Sequence, residues 1–211
     1  MMLKKLGLSM LLMCVPFLLN AAESQQYKSG EHFIELQFPV ATADPSKVEV
    51  VEAFGYLCPH CANFEPILHH WSQKQAGKIN FVRLPVVFSR SWEPLARAYY
   101  SADLLNVTDK THQPTFDALH KERRRFRSAG DLADFYADLG VDGAKFEKMY
   151  DSFAVNMRLN QGASKLKGYG VQSVPTLIVN GKYRVTAETA GGHAGMLKVV
   201  EFLIKKEQEA Q

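Results

Sequence analysis

A pair of cysteines, Cys58 and Cys61, stands between an apolar β-branched run and a helical pattern. The run KVEVVEAF over residues 47–54 is typical of a buried central strand, and Gly55 ends it. The apolar residues that follow recur at the spacing of an amphipathic helix: Cys61, Phe64, Leu68 and Trp71. The sequence therefore predicts a strand, a short loop, a CxxC motif and a helix in direct succession, which few folds contain.

The first 22 residues have the organisation of a secretory signal peptide. Two lysines precede a 14-residue apolar run, and small residues follow it. We predict cleavage after Ala22, and an uncleaved membrane anchor is the alternative, although the run is shorter than the roughly 20 residues that a bilayer requires. Cleavage removes Cys14, so that Cys58 and Cys61 become the only thiols of the mature chain.

The charge of the mature chain is close to zero. Removing the two lysines of the signal from the 25 basic residues leaves 23, against 22 acidic residues. This balance does not favour a nucleic acid or an anionic surface, so we expect no nucleic-acid partner. The basic run KERRRFR at 121–127 is interpreted as the solvated face of a predicted helix, since Glu122 interrupts it.

The remaining pattern predicts an α/β fold. Strands are expected at 32–40 and 78–88, and a helical block at about 90–160 separates them from a later hairpin. The hairpin is predicted within 170–185, where Asn180-Gly181 marks the turn, and an amphipathic helix ends the chain. We therefore expect a domain over residues 23–211 in which the helical block is an insertion.

Within the helical block, three signals predict where helices begin. Pro94 and Pro114 each suit a first helical turn, and residues 128–131, SAGD, resemble a capping box. A further apolar stripe starts at Phe146, and its periodicity predicts one helix that continues toward Gly168.

The CxxC motif has three chemical interpretations. A structural zinc site needs a second cysteine pair or suitably spaced histidines, whereas His69 and His70 are adjacent on the helix and point about 100° apart. An inert disulfide would close a very small loop, which constrains the unfolded chain little. Neither alternative is favoured, and we expect no metal.

The redox interpretation fits the motif better. Cys58 would lie at the start of a helix, where unpaired N–H groups and the helix dipole stabilise a thiolate. His60 would add positive charge, and Pro59 would stiffen the loop. A stabilised thiolate favours the dithiol over the disulfide, so that the disulfide oxidises other thiols.

A second signal is SVPT at 173–176, immediately before the hairpin strand. A trans proline is the usual outcome for such a loop. Beside a redox CxxC motif, however, we predict that Pro175 is a cis-proline. The backbone groups of Val174 would then pair with a bound peptide as with an added strand.

The combination of CPHC after an apolar strand, FEP, the helical block, VPT and VNGKY at 179–183 resembles the DsbA family. These are bacterial periplasmic thiol:disulfide interchange proteins, and the resemblance covers essentially the whole mature chain. Cytosolic thioredoxins, by contrast, typically carry CGPC. The sequence departs from the family at Gly55 and Leu57, where relatives often carry bulkier or different residues, which leaves partner preference open.

The resemblance implies a thioredoxin-like fold with an inserted helical domain. It implies that Cys58 is the exposed attacking cysteine, Cys61 its buried partner and His60 the group that stabilises the Cys58 thiolate. Pro175 would be the cis-proline of the family. Glu52 matches a buried acid that assists proton movement at Cys61, although the sequence alone equally permits a carboxylate at a strand edge.

The expected activity is the introduction of disulfides into reduced exported polypeptides in the periplasm. The resemblance also implies reoxidation by a quinone-linked membrane partner of the DsbB type. We expect that no cofactor is needed, and a monomer is the default expectation. Two alternatives stay open. A disulfide isomerase or reductase is one, although about 35 residues before Cys58 leave no room for an N-terminal dimerisation domain. A peptide-binding, chaperone-like module with little turnover is the other.

Overall fold

The structure is a computed structural model that describes residues 27–210, so the predicted signal peptide lies outside the described residues. Five strands form one mixed sheet in the order β1-β5-β4-β2-β3. Their bounds are β1 (Ile34–Glu35), β2 (Glu49–Phe54), β3 (Asn80–Pro85), β4 (Thr176–Val179) and β5 (Tyr183–Thr186). β2 pairs parallel to β3 and antiparallel to β4, which places it inside the sheet.

Within residues 27–210, eight helices pack around the sheet. They are α1 (Pro59–Lys74), α2 (Glu93–Leu104), α3 (Thr108–His120), α4 (Ala129–Asp138), α5 (Gly143–Tyr150), α6 (Phe153–Gly168), α7 (Ala187–Ala190) and α8 (His193–Glu209). Helices α2 to α6 occupy the chain between β3 and β4, whereas α1 connects β2 to β3. The predicted α/β class is confirmed. Within the described residues, no helix is both long enough and apolar enough to cross a bilayer.

The central strand β2 is buried along its whole length, as its apolar sequence predicts. Phe54 at its end packs with Tyr56, Cys58 and Cys61 in the same apolar cluster as α2 to α5. Two further clusters cover the two faces of the sheet. The loop from β2 to α1 therefore lies where the helical block meets the sheet.

The hairpin prediction is confirmed. Asn180 and Gly181 are the two central residues of the turn in the three-residue connection between β4 and β5, with φ of 51° and 63°. Both angles lie in the left-handed region that favours glycine and asparagine in such turns. A Cβ on Gly181 would also lie 1.9 Å from the carbonyl oxygen of Val40, so that only glycine fits there.

Several predicted elements are wrong in their bounds. The expected strand at 32–40 reduces to β1, and Pro114 lies inside α3, not at its start. The helix predicted from Phe146 toward Gly168 is interrupted, because the Ser152 hydroxyl accepts a hydrogen bond from the Val155 N–H and begins α6.

Two further helix signals have different outcomes. Pro94 does lie in the first turn of α2, and Ser128 caps α4 by accepting a hydrogen bond from the Asp131 N–H. The basic run at 121–127, which the sequence places on a helix, follows the end of α3 in irregular conformation.

Candidate active site

The CxxC motif forms the first turn of α1. Cys58 is the N-cap residue with extended backbone, and its Sγ accepts a hydrogen bond from the Cys61 N–H at 3.4 Å. Pro59 opens the helix, where its missing N–H costs no intrahelical bond. The Cys58 N–H in turn donates to the Gly55 carbonyl at 2.9 Å. The loop thus holds the Cys58 sulfur over the unpaired N–H groups of the helix.

The two thiols differ strongly in acidity. The hydrogen bond with the Cys61 side chain, N–H groups of Cys61 and His60 and the charge of His60 lower the pKa of Cys58 from 9.0 to about 6, against the effect of burial. The same hydrogen bond, burial, the Cys58 thiolate and Glu52 raise the pKa of Cys61 far above its ordinary value. At neutral pH Cys58 is therefore mostly a thiolate and Cys61 a thiol.

The two cysteines differ less in solvent exposure than the resemblance implies. Cys61 is fully buried, as expected, but Cys58 is only 8% exposed. The prediction of an exposed Cys58 is wrong in degree, because residues of the helical block and the Val174 loop pack around it. His60 and Pro59 are the exposed members of the motif.

The Val174–Pro175 peptide bond is cis, as predicted, and it lies directly against the motif. When Cys58 is protonated, its thiol donates a hydrogen bond to the Val174 carbonyl at 3.4 Å. The Thr176 hydroxyl donates to the Ser173 carbonyl at 2.7 Å and fixes the loop where β4 begins. The structure thus brings Val174 and Pro175 together with Cys58.

Glu52 is completely buried, so the alternative of a strand-edge carboxylate is wrong. It lies opposite Arg83 in the register of β2 and β3, and the Arg83 Nε donates to its carboxylate at 2.9 Å. Arg83 also donates to Glu65 of α1 at 2.8 Å. Burial raises the pKa of Glu52 to about 7, although the Arg83 charge opposes this shift.

Sequence reasoning missed the histidines that extend this network. The His112 Nε2 lies 3.3 Å from Glu65, and its Nδ1 lies 2.8 Å from the Tyr56 hydroxyl. His120 donates from Nε2 to the Tyr56 carbonyl at 2.7 Å. One signal in the sequence could have identified two of them: His112, Phe116 and His120 recur every four residues, and on α3 their rings contact one another in that order.

These contacts hold the residue two positions before Cys58 by both its hydroxyl and its carbonyl. Burial, followed by the Arg83 charge, lowers the pKa of His112 well below its ordinary value, so the ring is neutral. His193 is a further histidine near the motif. Its ring centroid lies 4.7 Å from that of Phe64, and burial, followed by the charge of His60, lowers its pKa. The sequence did not predict a function for His112, His120 or His193.

Glu52, Glu65 and His112 also form the one group among the described residues whose ligand atoms lie close enough, within 4.8 Å, to hold a metal ion. Arg83 donates to both carboxylates, so a permanent cation already balances one of the two charges. We therefore assign this group to the buried ion-pair network.

The two positions that depart from the family have a packing explanation. A Cβ on Gly55 would lie 2.0 Å from the ring carbon Cζ3 of Trp92, at the start of α2. Leu57 is half-buried against the same apolar cluster. Gly55 is therefore required by the close approach of the Trp92 ring.

Comparison with known proteins gives consistent results. Residues 42–198 match a thioredoxin family. The chain is 39% identical over 190 residues to the thiol:disulfide interchange protein DsbA of Pseudomonas aeruginosa, which covers 90% of each chain. It is 40% identical over 194 residues to DsbA of Pseudomonas syringae pv. tomato, covering 92% of this chain and 91% of the relative.

Solved structures give the same result. The crystal structure of Pseudomonas aeruginosa DsbA superposes with a TM-score of 0.85 at 38% identity, covering 89% of this chain and 97% of the other. The oxidoreductase DsbA from Xylella fastidiosa superposes with a TM-score of 0.81 at 32% identity, covering 87% and 98%. The predicted thioredoxin-like fold is therefore confirmed.

Proposed function

The chain belongs to the DsbA family of thiol:disulfide interchange proteins, and we propose that it introduces disulfides into reduced exported polypeptides through Cys58 and Cys61. The observation that carries this proposal is the placement of the two sulfurs: Cys58 caps the start of α1 and accepts a hydrogen bond from the Cys61 N–H, whereas Cys61 is fully buried, which makes the two thiols unequal in acidity. A Cys58 thiolate that is stable at neutral pH makes the dithiol form favourable, so that the disulfide form is an oxidant.

The exchange proceeds in two displacements. A substrate thiolate attacks the Cys58 sulfur, the Cys58–Cys61 bond breaks, and Cys61 leaves as a thiolate and takes up a proton. A second substrate thiolate then attacks the substrate sulfur of the mixed disulfide and releases Cys58 as a thiolate. The substrate loses two electrons to the protein, and the low pKa of Cys58 makes it the better leaving group in the second step.

The buried network supplies the proton that the first displacement requires. Cys61 has a strongly raised pKa, so its departing thiolate must be protonated at once. Glu52 has a pKa of about 7, so its carboxyl group can hold a proton at neutral pH, and in its ionised form its charge raises the pKa of Cys61. We therefore assign the proton that Cys61 takes up to Glu52. Arg83 and Glu65 hold Glu52 in place.

The cis-proline loop presents the substrate. Because proline has no N–H, Pro175 leaves the Cys58 sulfur free of a competing backbone donor. In the disulfide form Cys58 has no S–H to donate to the Val174 carbonyl, so the backbone of Val174 can pair with a substrate strand next to the attacked sulfur. His60, exposed on the first turn of α1, stabilises the thiolate by its charge and its backbone N–H.

The family also supports a cellular setting for this reaction. We place the protein in the periplasm after removal of residues 1–22, where a quinone-linked membrane oxidase of the DsbB type reoxidises the dithiol. Thiol exchange of this kind needs no metal or organic cofactor, and a monomer suffices because both cysteines lie in one chain.

The test is oxidative refolding of a reduced, unfolded substrate by stoichiometric disulfide-form protein. We expect wild-type protein to restore substrate activity and Cys58→Ser to lose at least a hundredfold in rate. A Cys58→Ser variant with undiminished rate contradicts the mechanism. A substrate with scrambled disulfides, tested in parallel with the dithiol form of the protein, separates the alternatives, because an isomerase in that form would restore its activity.

A further inference from the structure

Next to the candidate active site lies a fixed, exposed basic segment, residues 121–127, that the exchange reaction does not use. Its seven residues carry five basic side chains and one acidic one, a net charge of +4 against +3 for the whole chain. All the charged side chains of the segment are exposed. The positive charge of the protein is therefore concentrated in one short stretch.

The segment follows a residue that contacts the chain just before the motif. His120, the last residue of α3, donates to the Tyr56 carbonyl at 2.7 Å, and Tyr56 is two residues before Cys58. Lys121 follows His120 directly. The basic segment therefore follows directly after a residue that contacts the backbone two residues before the reactive cysteine.

The segment is held in one conformation although it is neither helix nor strand. The Arg124 N–H donates to the Ala118 carbonyl at 2.8 Å, and its guanidinium stacks over Phe126 and Phe135 at 5.5 and 4.8 Å from the ring centroids. The Arg127 N–H donates to Asp131 at 2.7 Å. Phe126 and Arg124 thus anchor the segment, and its other charged side chains extend from a backbone that these contacts hold in place.

None of the four arginines of this segment forms an ion pair within 4.0 Å among the described residues, but Arg124 packs on two aromatic rings and the charge of Arg127 acts on Asp131. Lys121 pairs with Asp117 at 2.9 Å, whereas Arg123 and Arg125 have no ion pair within 4.0 Å among residues 27–210. Arg123 also has a φ of 57°, in the left-handed region that favours glycine. Arginine therefore occupies a position whose backbone conformation favours glycine.

We propose that Arg123 and Arg125 form a docking surface for acidic side chains of the polypeptide that exchanges disulfides with Cys58. This inference rests on the proposed function and names a substrate preference for it. An extended peptide rises about 3.3 Å per residue, so acidic residues a few positions from the reacting cysteine would reach the segment. Opposite charge at this distance increases the rate of encounter, and salt weakens the effect.

The test compares three dithiol peptides of equal length whose flanking residues are acidic, neutral or basic. The oxidation rate of each peptide by disulfide-form protein is measured by acid quenching and mass spectrometry, at low and at high salt. The variant R123E/R125E is compared with K74E/K78E, which makes the same change in net charge. Lys74 and Lys78 are exposed and lie at and beyond the far end of α1, about 24 Å from the motif.

We expect R123E/R125E to oxidise the acidic peptide about tenfold more slowly at low salt, and the basic peptide faster, while K74E/K78E resembles wild type. The differences should shrink at high salt. Equal rates for the three peptides, or equal losses in both variants, would overturn the proposal. Loss of binding to anionic lipid vesicles with unchanged peptide rates would overturn it in favour of a membrane contact. Failure of wild type to oxidise even the neutral peptide would instead contradict the proposed function.

Discussion

Raising the pH from about 5 to about 8 should stabilise the dithiol form of this protein through the single ionisation of Cys58. The pKa of Cys58 is about 6 in the folded chain against 9.0 for a free thiol, so folding lowers it. A group with a lowered pKa contributes stability at high pH that is lost as the pH falls through its folded value. The contribution is therefore absent near pH 5 and large near pH 8.

The magnitude follows from the two pKa values. At 1.36 kcal/mol per pKa unit, the thiolate contributes about 1.4 kcal/mol at pH 7 and about 2.6 kcal/mol at pH 8. Because 1.4 kcal/mol corresponds to about 30 mV in a two-electron couple, the disulfide at pH 7 is more oxidising by that amount than one with an ordinary Cys58.

The assay is urea unfolding of the dithiol form at each pH, with Cys58→Ser measured in the same buffers. The variant cancels the titration of all other groups, so the difference in free energy of unfolding isolates Cys58. We expect this difference to grow by about 2.6 kcal/mol from pH 5 to pH 8. The thiolate absorbance of wild type should titrate at the same midpoint. A difference that stays constant across this range would refute the reasoning.

Three further predictions concern the buried network and the approach of α2. Arg83→Met should lower the free energy of unfolding by about 3–5 kcal/mol in urea at neutral pH, because it leaves the carboxylates of Glu52 and Glu65 without their cation; a stability equal to wild type would contradict the ion-pair network. Glu52→Gln should become more stable relative to wild type as the pH rises. The pKa of Glu52 is raised from 4.5 to about 7, so this carboxyl group stabilises the wild-type fold below pH 4.5, and the contribution is lost as the pH rises through about 7; parallel pH profiles of the unfolding free energy would argue against this. Gly55→Ala should lower the unfolding free energy by about 1–3 kcal/mol and change the fluorescence of Trp92, whose ring must move; an unchanged spectrum and stability would show that the ring does not lie there.

The parts of the site that the sequence predicts are local in the chain. The apolar run of β2, the break at Gly55 and the periodicity of α1 all act over a few residues, and they place Cys58 at a helix start. The turn at Asn180-Gly181 is local in the same sense, because those residue types tolerate the backbone angles that it requires.

The parts that the sequence does not predict depend on long-range contacts. Arg83 is 31 residues from Glu52, and the register of two strands brings them together. His112 approaches Glu65 only because α3 packs against α1. Periodicity identifies His112 as a helical residue but carries no information about which element it meets.

The errors in the helical block have a related cause. Apolar periodicity alone continues across Ser152, but a single hydroxyl that caps the next helix is enough to divide the stripe. Pro114 is tolerated inside α3, where the rest of the helix is held by its packing against α1 and α2.

The most direct test of the proposed mechanism is to trap the mixed disulfide. A reduced substrate polypeptide is mixed with Cys61→Ala, after Cys58 is activated as a mixed disulfide with a small thiol, and the product is located by mass spectrometry; Cys58→Ala, activated at Cys61, is the matched control. We expect a stable covalent complex through Cys58 and little or none through the fully buried Cys61. Equal trapping through Cys61, or no complex with either variant, would contradict an exchange that begins at Cys58.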